Sequence, residues 1–193
     1  MAVMAFDAER RGRLISEAEL SRYTGWLATA VTDALHFFIG HDSPPPPSAA
    51  RYLAATGAHV AHMLRDTLED VEEGYYNVPY EYLQAHHIGP RDVASEAYRE
   101  WVRCRVEVAR ACFRAGRSYL AQVESARCRI AGYSYIERFT GVLKALERSG
   151  YRLAASCPER KKAGAGLNVT WHALAEMAHT RVAEQPAHIY VSR

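Results

Sequence analysis

The chain of 193 residues has no long uncharged apolar run. A membrane-spanning helix needs about 18 or more consecutive apolar residues, so none is expected. An export signal is also not expected, because Asp7, Arg10 and Arg11 interrupt the apolar start of the chain. The formal net charge is only +2, which is too small to predict nucleic-acid binding. These absences predict a cytoplasmic protein that does not bind nucleic acid.

Cysteine is scarce, and its spacing matches no zinc-binding pattern. In a cytoplasm the four residues should be reduced thiols: Cys104, Cys112, Cys128 and Cys157. Alternation of apolar and polar residues with a period of two is essentially absent, so strands are not expected. With 49% apolar and 24% charged residues, the composition is globular. We therefore predict a single all-α domain over residues 1–193, with 184–193 as a loose tail.

A capping box at Ser16 and Glu19 predicts the start of the first helix. Its expected inward stripe has three- and four-residue steps and consists of Leu20, Tyr23, Leu27, Val31, Ala34 and Phe38. Gly40 and the four prolines at 44–47 end this helix. Ser48 caps a second helix, which runs to about Glu73 and is closed by Gly74.

The rest of the chain also reads as helical. We predict a loop over 75–90 with one short helix around 81–86, then helices from near 95 to about 124, from about 126 to 148, and from 169 to 183. Residues 188–191 form either a short strand or a frayed end. Five arginines fall on nearly one face of the helix after Ser95: Arg99, Arg103, Arg110, Arg114 and Arg117. That face is expected to be solvated, and a diphosphate clamp or lipid-docking surface is the alternative.

Four carboxylates lie on one face of the second helix. Asp66, Glu69, Asp70 and Glu73 follow i, i+3, i+4 and i+7 spacing, so their charges repel. Solvent, basic partners or a divalent cation relieves such repulsion, and Mg²⁺ prefers oxygen ligands. A solvated acidic helix end is the plain alternative.

The same face continues toward the N-terminus as His62 and His59, within a segment that is otherwise apolar. We expect these imidazoles to hydrogen-bond phosphate or neighbouring carboxylates. Small residues in the helix would permit close helix approach or leave room for a ligand: Ala54, Ala55, Gly57, Ala58 and Ala61. A polar stripe on a buried helix favours a lined cavity.

Residues 65–79 follow the pattern R-D-x-x-E-D-x-x-x-G-x-x-x-x-P. This pattern resembles the second aspartate-rich motif of the squalene/phytoene synthase family. Segments 19–31, 139–151 and 159–162 also resemble that family, in the family's order, so the likeness extends from about Met4 to Lys162. The ordered set of segments is much more specific than a single D-x-x-x-D.

The resemblance implies an all-α isoprenoid-synthase fold. It also implies Mg²⁺-dependent head-to-head condensation of two prenyl diphosphates, through a cyclopropyl intermediate, to squalene- or phytoene-like products. By resemblance Asp66 and Asp70 bind Mg²⁺, and Tyr23 and Arg65 are catalytic. The implied substrate-binding residues are Leu27, Val31, His59, His62, Asn77, Phe139 and Arg160. Whether NADPH takes part stays open.

The sequence departs from the family pattern in two ways. The family uses two aspartate-rich motifs that face each other across a cavity, whereas this sequence has one D-x-x-x-D. Aligned by its motifs, the chain resembles the rear portion of the family's domain, without its front helices. Histidines also stand at 59 and 62, where the family usually has Gln and Asn, and Asn77 and Phe139 stand where tyrosines are common.

These departures leave several functions open. The first is a prenyl transferase whose missing half-site comes from a homo- or hetero-oligomer or from upstream sequence. The alternative is a non-catalytic relative that binds a prenyl lipid or a partner. Peripheral membrane contact is compatible with either. A generic helical metal protein ranks last, because the repeated Glu-x-x-His pairs of di-iron bundles are absent.

Overall fold

The computed structural model describes residues 2–39, 46 and 48–153. Every regular element in these ranges is helical, which confirms the all-α prediction. The elements are α1 (Ala2–Arg10), α2 (Glu17–Ile39), a 3₁₀ turn (Ala49–Tyr52) that leads into α3 (Leu53–Glu73), α4 (Tyr80–Ala85), α5 (Glu96–Leu120) and α6 (Ala126–Arg148). The predicted helix after 169, the segment 188–191 and Arg160 lie outside the described residues.

Local capping fixes where these helices begin and end. The N–H of Glu19 donates to Ser16 Oγ at 3.1 Å, and the N–H of Ser16 donates to Glu19 Oε2 at 2.8 Å, so the predicted capping box is confirmed. The side chains of Ser95 and Ser125 cap α5 and α6 by accepting from the N–H groups of Tyr98 and Cys128. Gly74 ends α3 with φ of 86°, a left-handed conformation that glycine adopts without strain.

Helix α3 lies at the centre of the described fold and packs against α2, α5 and α6. Its contact with α5 is close because both helices present glycine. A Cβ on Gly57 would lie 2.8 Å from the Phe113 ring, and one on Gly116 would lie 3.0 Å from Ala54. Of the small residues predicted to permit close helix approach, Ala54 and Gly57 do so here.

The core has two parts. The larger part joins α3, α5 and α6, and its fully buried side chains include Val102, Ile136 and Leu143. The smaller part joins α1, α2 and α3 around five side chains: Phe6, Ile15, Leu20, Tyr23 and Met63. Helix α1 is a finding of the structure and was not predicted. Its nine residues carry too short an apolar pattern, with only Phe6 and Arg10 buried.

The predicted stripe of α2 is right in its N-terminal half and wrong in its C-terminal half. Leu20 and Tyr23 are buried, whereas Ala34 is exposed and Phe38 is 77% exposed. Asp33 of α2 forms an ion pair at 2.7 Å with Arg51, so this part of α2 lies beside the 3₁₀ turn. After Asp33, the side of α2 that carries Ala34 and Phe38 does not pack against another helix among the described residues.

The arginine face of α5 is neutralised by acids. Four of its five arginines form ion pairs: Arg99 with Glu96, Arg103 with Glu100 and Glu107, Arg110 with Glu147, and Arg117 with Glu137. The prediction of a solvated face is confirmed for Arg103, which is exposed and pairs with acids of α5 itself. It is wrong for Arg110 and Arg117, which are half-buried and pair with the α6 acids Glu147 and Glu137. No helix among the described residues is long and apolar enough to cross a membrane.

Candidate functional site

The first carboxylate of the α3 motif is held by its neighbours. Arg65 forms a two-point contact with Asp66, from Nε to Oδ1 and from Nη2 to Oδ2, both at 2.7 Å. One turn earlier, His62 Nε2 lies 3.1 Å from Asp66 Oδ2. His62 therefore contacts a neighbouring carboxylate, which is one of its two predicted roles. Because such a fork is planar and directional, Asp66 has a defined orientation.

Asp70, one turn further along α3, has a different environment. The side-chain amide of Asn77 donates to Asp70 Oδ2 at 2.7 Å. Burial raises the pKa of Asp70 to about 6; the Asn77 bond opposes this rise, while Asp66 and Glu73 add to it. Asp70 is thus a partly desolvated carboxylate whose hydrogen-bond donor is neutral.

A chain of hydrogen bonds connects Asp70 to the unpredicted helix α1. Arg10 Nη1 donates to Asn77 Oδ1 at 2.8 Å, and Arg10 Nε donates to Asp7 Oδ1 at 2.9 Å. The Tyr23 hydroxyl donates to Asp7 Oδ2 at 3.0 Å. Four segments of the chain therefore meet here: α1, α2, α3 and the loop after α3.

Tyr23 and His59 form the apolar side of this network. Their rings lie 5.2 Å apart, and both residues are buried. Burial, followed by the charge of Asp7, raises the pKa of Tyr23 to about 12. Burial lowers the pKa of His59 to about 4, and within the described structure its Nε2 has no hydrogen-bond partner. Both side chains are therefore uncharged at neutral pH.

An open apolar cleft lies toward the other end of α3. Its walls come from four helices and include Leu35, Ile39, Ala54, Ala55, Leu120, Cys128, Gly132 and Tyr135. Ala55 precedes Asp66 by eleven residues of α3, a rise of about 16 Å. The helix thus carries carboxylates at one end and lines an apolar cleft at the other.

Leu27 and Val31, two of the implied substrate-binding residues, do not line this cleft. Leu27 is half-buried and packs against the Phe6 and Tyr23 cluster. Val31 is also half-buried, and the α2 side chains in the cleft wall are Thr32, Leu35, His36 and Ile39. Phe139 is buried, with its ring 6.3 Å from that of His62, so it lies close to the carboxylate end.

Asp66 and Asp70 could supply some, but not all, of the ligands of a Mg²⁺ ion. Within the described ranges, no group of three or more His, Cys, Asp or Glu side chains is placed to hold a metal ion. Mg²⁺ is nevertheless commonly bound by one or two carboxylates, with waters and substrate phosphates completing its shell. Asp70, desolvated and hydrogen-bonded by a neutral amide, has the chemistry of such a ligand, and Asp66 lies one turn away on the same face.

Asp7, Arg10 and Tyr75 are site residues that the sequence analysis missed. The Arg10 guanidinium lies 5.0 Å from the Tyr23 ring centre and 5.1 Å from that of Tyr75. The available signal was the i, i+3 spacing of Asp7 and Arg10 beside Phe6, which is compatible with a short amphipathic helix. Nothing in that spacing indicates contact with residues 75–77.

The family model of squalene/phytoene synthase matches residues 1–165. The chain belongs to the squalene/phytoene synthase family. Its fold matches the crystal structure of squalene synthase HpnC from Alicyclobacillus acidocaldarius, with a TM-score of 0.64 and 20% sequence identity. That match covers 77% of this chain and 57% of the HpnC chain, so the chain spans little more than half of that protein's length. At this identity the likeness shows the fold. No curated protein sequence matches the chain significantly.

Proposed function

We propose that this chain is part of a Mg²⁺-dependent prenyl transferase that condenses two prenyl diphosphates head to head. The observation that supports this most is that the two ends of α3 differ in polarity. One end of α3 suits a charged diphosphate, because it carries Arg65, Asp66 and Asp70. The other end opens on an apolar cleft, at Ala54 and Ala55. A prenyl diphosphate has the same division into a charged head and an apolar tail.

In this proposal Asp66 and Asp70 hold Mg²⁺, which neutralises the charge of the departing diphosphate. Arg65 fixes the orientation of Asp66 and adds a cation beside the diphosphate. Tyr23 keeps its proton at neutral pH and donates a hydrogen bond to Asp7, so its ring is an uncharged aromatic face rather than a nucleophile. Such a face stabilises a cation without trapping it.

The second aspartate-rich motif comes, in this proposal, from another chain or from upstream sequence. The sequence holds one D-x-x-x-D, at Asp66 and Asp70. Two carboxylates provide part of the ligand shell of the Mg²⁺ at the head group of one prenyl diphosphate, whereas a condensation needs two substrates.

Calorimetric titration with farnesyl or geranylgeranyl diphosphate, with and without Mg²⁺, tests the proposal. We expect Mg²⁺-dependent binding that is lost in the double variant Asp66→Asn, Asp70→Asn. Glu72→Gln is the matched control, because Glu72 is an exposed acid of the same helix outside the carboxylate face. The full-length protein, incubated with the same substrate and Mg²⁺, should release inorganic diphosphate and form a condensed prenyl product. Absence of both binding and product would overturn the proposal.

A second candidate function is prenyl-lipid binding without catalysis. The apolar cleft supports it, since the cleft walls include neither Asp66 nor Asp70. This candidate predicts binding of the prenyl ligand that needs no Mg²⁺ and persists in the double Asn variant. Loss of all binding in that variant would exclude it.

A further inference from the structure

Arg10 is a buried cation that is held in place by hydrogen bonds and ring contacts. It is 6% exposed and donates from Nε to Asp7 and from Nη1 to Asn77. Its guanidinium also lies 5.0 Å from the Tyr23 ring centre and 5.1 Å from that of Tyr75. An arginine side chain stays charged at all accessible pH values. A buried charge is tolerated only when it is paired and hydrogen-bonded, and Asp7 supplies the opposite charge.

Arg10 and Asp70 together fix which way the Asn77 amide points. A guanidinium only donates hydrogen bonds, so the Asn77 group that faces Arg10 must be the carbonyl oxygen. The amide nitrogen then faces Asp70, to which it donates at 2.7 Å. Without Arg10, the Asn77 carbonyl oxygen would lose its buried donor, and the bond to Asp70 alone would hold the amide in this orientation.

We infer that Arg10 is a positioning residue for the Asp70 carboxylate, acting through the Asn77 amide, and that α1 is thereby part of the diphosphate site. The inference rests on the proposed function, in which Asp70 binds the cation of a metal–diphosphate head group. Partners that orient metal-binding side chains typically change metal affinity by about 10–100-fold when they are removed. Arg10 acts one residue further away, since it orients the Asn77 amide that in turn orients Asp70.

The orientation itself is tested in the full-length protein by NMR of the ¹⁵N-labelled Asn77 side-chain amide. This signal is assigned by its disappearance in Asn77→Ser. In wild type we expect an amide that exchanges slowly with solvent, and in Arg10→Gln a faster-exchanging amide at a different shift. Arg22→Gln is the matched control, because Arg22 is exposed on α2 and contacts Trp26. An unchanged Asn77 amide in Arg10→Gln would overturn the inference.

The consequence for the site is tested by calorimetric titration with magnesium and inorganic diphosphate. We expect Arg10→Gln and Asn77→Ser each to weaken binding about tenfold or more, and the double variant to lose no more than either alone. Arg10→Lys, which keeps the charge without the planar fork, should fall between wild type and Arg10→Gln. Additive losses, or no loss, would overturn the inference while leaving the proposed function intact. No binding by wild type would instead overturn the proposed function.

Discussion

Burial shifts three titratable side chains of the site toward their neutral forms. The pKa of His59 falls to about 4, that of Tyr23 rises to about 12, and that of Asp70 rises to about 6, with burial as the largest cause in each. Arg10 and Asp7 lie beside them as a hydrogen-bonded ion pair. The interior of the site therefore disfavours uncompensated charge, so a cation placed against Asp70 would be strongly favoured there.

The pH dependence of stability should carry the signature of His59. Its folded pKa of about 4 lies below its ordinary value of 6.5. Between these values the unfolded chain binds a proton that the folded chain excludes, so stability is complete at neutral pH and falls as the solution is acidified. From about pH 7.5 to about pH 5, this group should remove about 2 kcal/mol from the free energy of unfolding. Urea unfolding at the two pH values measures it.

The variant His59→Gln isolates this contribution. Asp70 acts in the opposite direction, because its raised pKa lets the folded chain hold a proton below about pH 6. His62, Arg10 and Arg105 lower the pKa of His59 and Asp7 raises it, and all of them stay in place in the variant. The difference in pH dependence between wild type and His59→Gln therefore reports His59. Equal pH dependence in both proteins would refute the prediction.

At the scale of the helices, the approach of α5 to α3 depends on positions that lack a side chain. A Cβ at Gly57 would lie 2.8 Å from the Phe113 ring and 3.0 Å from the Ala109 carbonyl oxygen. The ring could rotate, but the carbonyl belongs to the backbone of a long helix. The packing of α5 thus holds α3 in place, and α3 carries both Asp66 and Asp70.

The substitution Gly57→Ala should destabilise the protein although alanine favours helix. The helix-propensity gain is about 1 kcal/mol, whereas overpacking in a close contact costs about 1–3 kcal/mol. We expect a net loss, measured as a lower urea midpoint with an unchanged m-value. Gly25→Ala on α2 is the matched control, since nothing lies within 4 Å of its Cβ position, and it should stabilise. Stabilisation by both substitutions would contradict the packing argument.

Across the whole molecule, charge and apolar surface are separated along α3. The carboxylate and arginine end meets α1, α2 and the loop after α3, whereas the other end opens on the cleft. Cys128 lies in the cleft wall, and Cys104 lies exposed on α5 outside it. These two thiols allow the cleft to be probed without assuming catalysis.

A prenyl alcohol such as farnesol should protect Cys128 from alkylation. The ligand would exclude reagent from the cleft, so the modification rate of Cys128 should fall several-fold while that of Cys104 stays constant. Peptide mapping by mass spectrometry after timed alkylation measures both rates in one sample. Protection should persist in the double Asn variant, because the cleft walls lie away from the aspartates. Equal rates at Cys128 with and without ligand would exclude this cleft as the chain site.

The local features of this protein were predictable because they depend on neighbouring residues. The Ser16 cap, the Gly74 stop and the carboxylate face of α3 follow from spacing within one helix, and all are present. The motif at 65–79 likewise identified the family, because its spacing is contained in fifteen consecutive positions. The apolar spacing of α2 continues to Phe38, but no helix of the described fold covers this residue, so its predicted burial was wrong.

The sequence by itself determined the helical class, the caps and the aspartate motif, since each depends on residues a few positions apart. Only the tertiary structure decided that α1 reaches the site. Arg10 and Asn77 are 67 positions apart, and their bond depends on how α1 packs against α2 and the loop after α3. Tertiary packing also placed the apolar cleft, because its walls come from four helices whose relative positions no local spacing specifies.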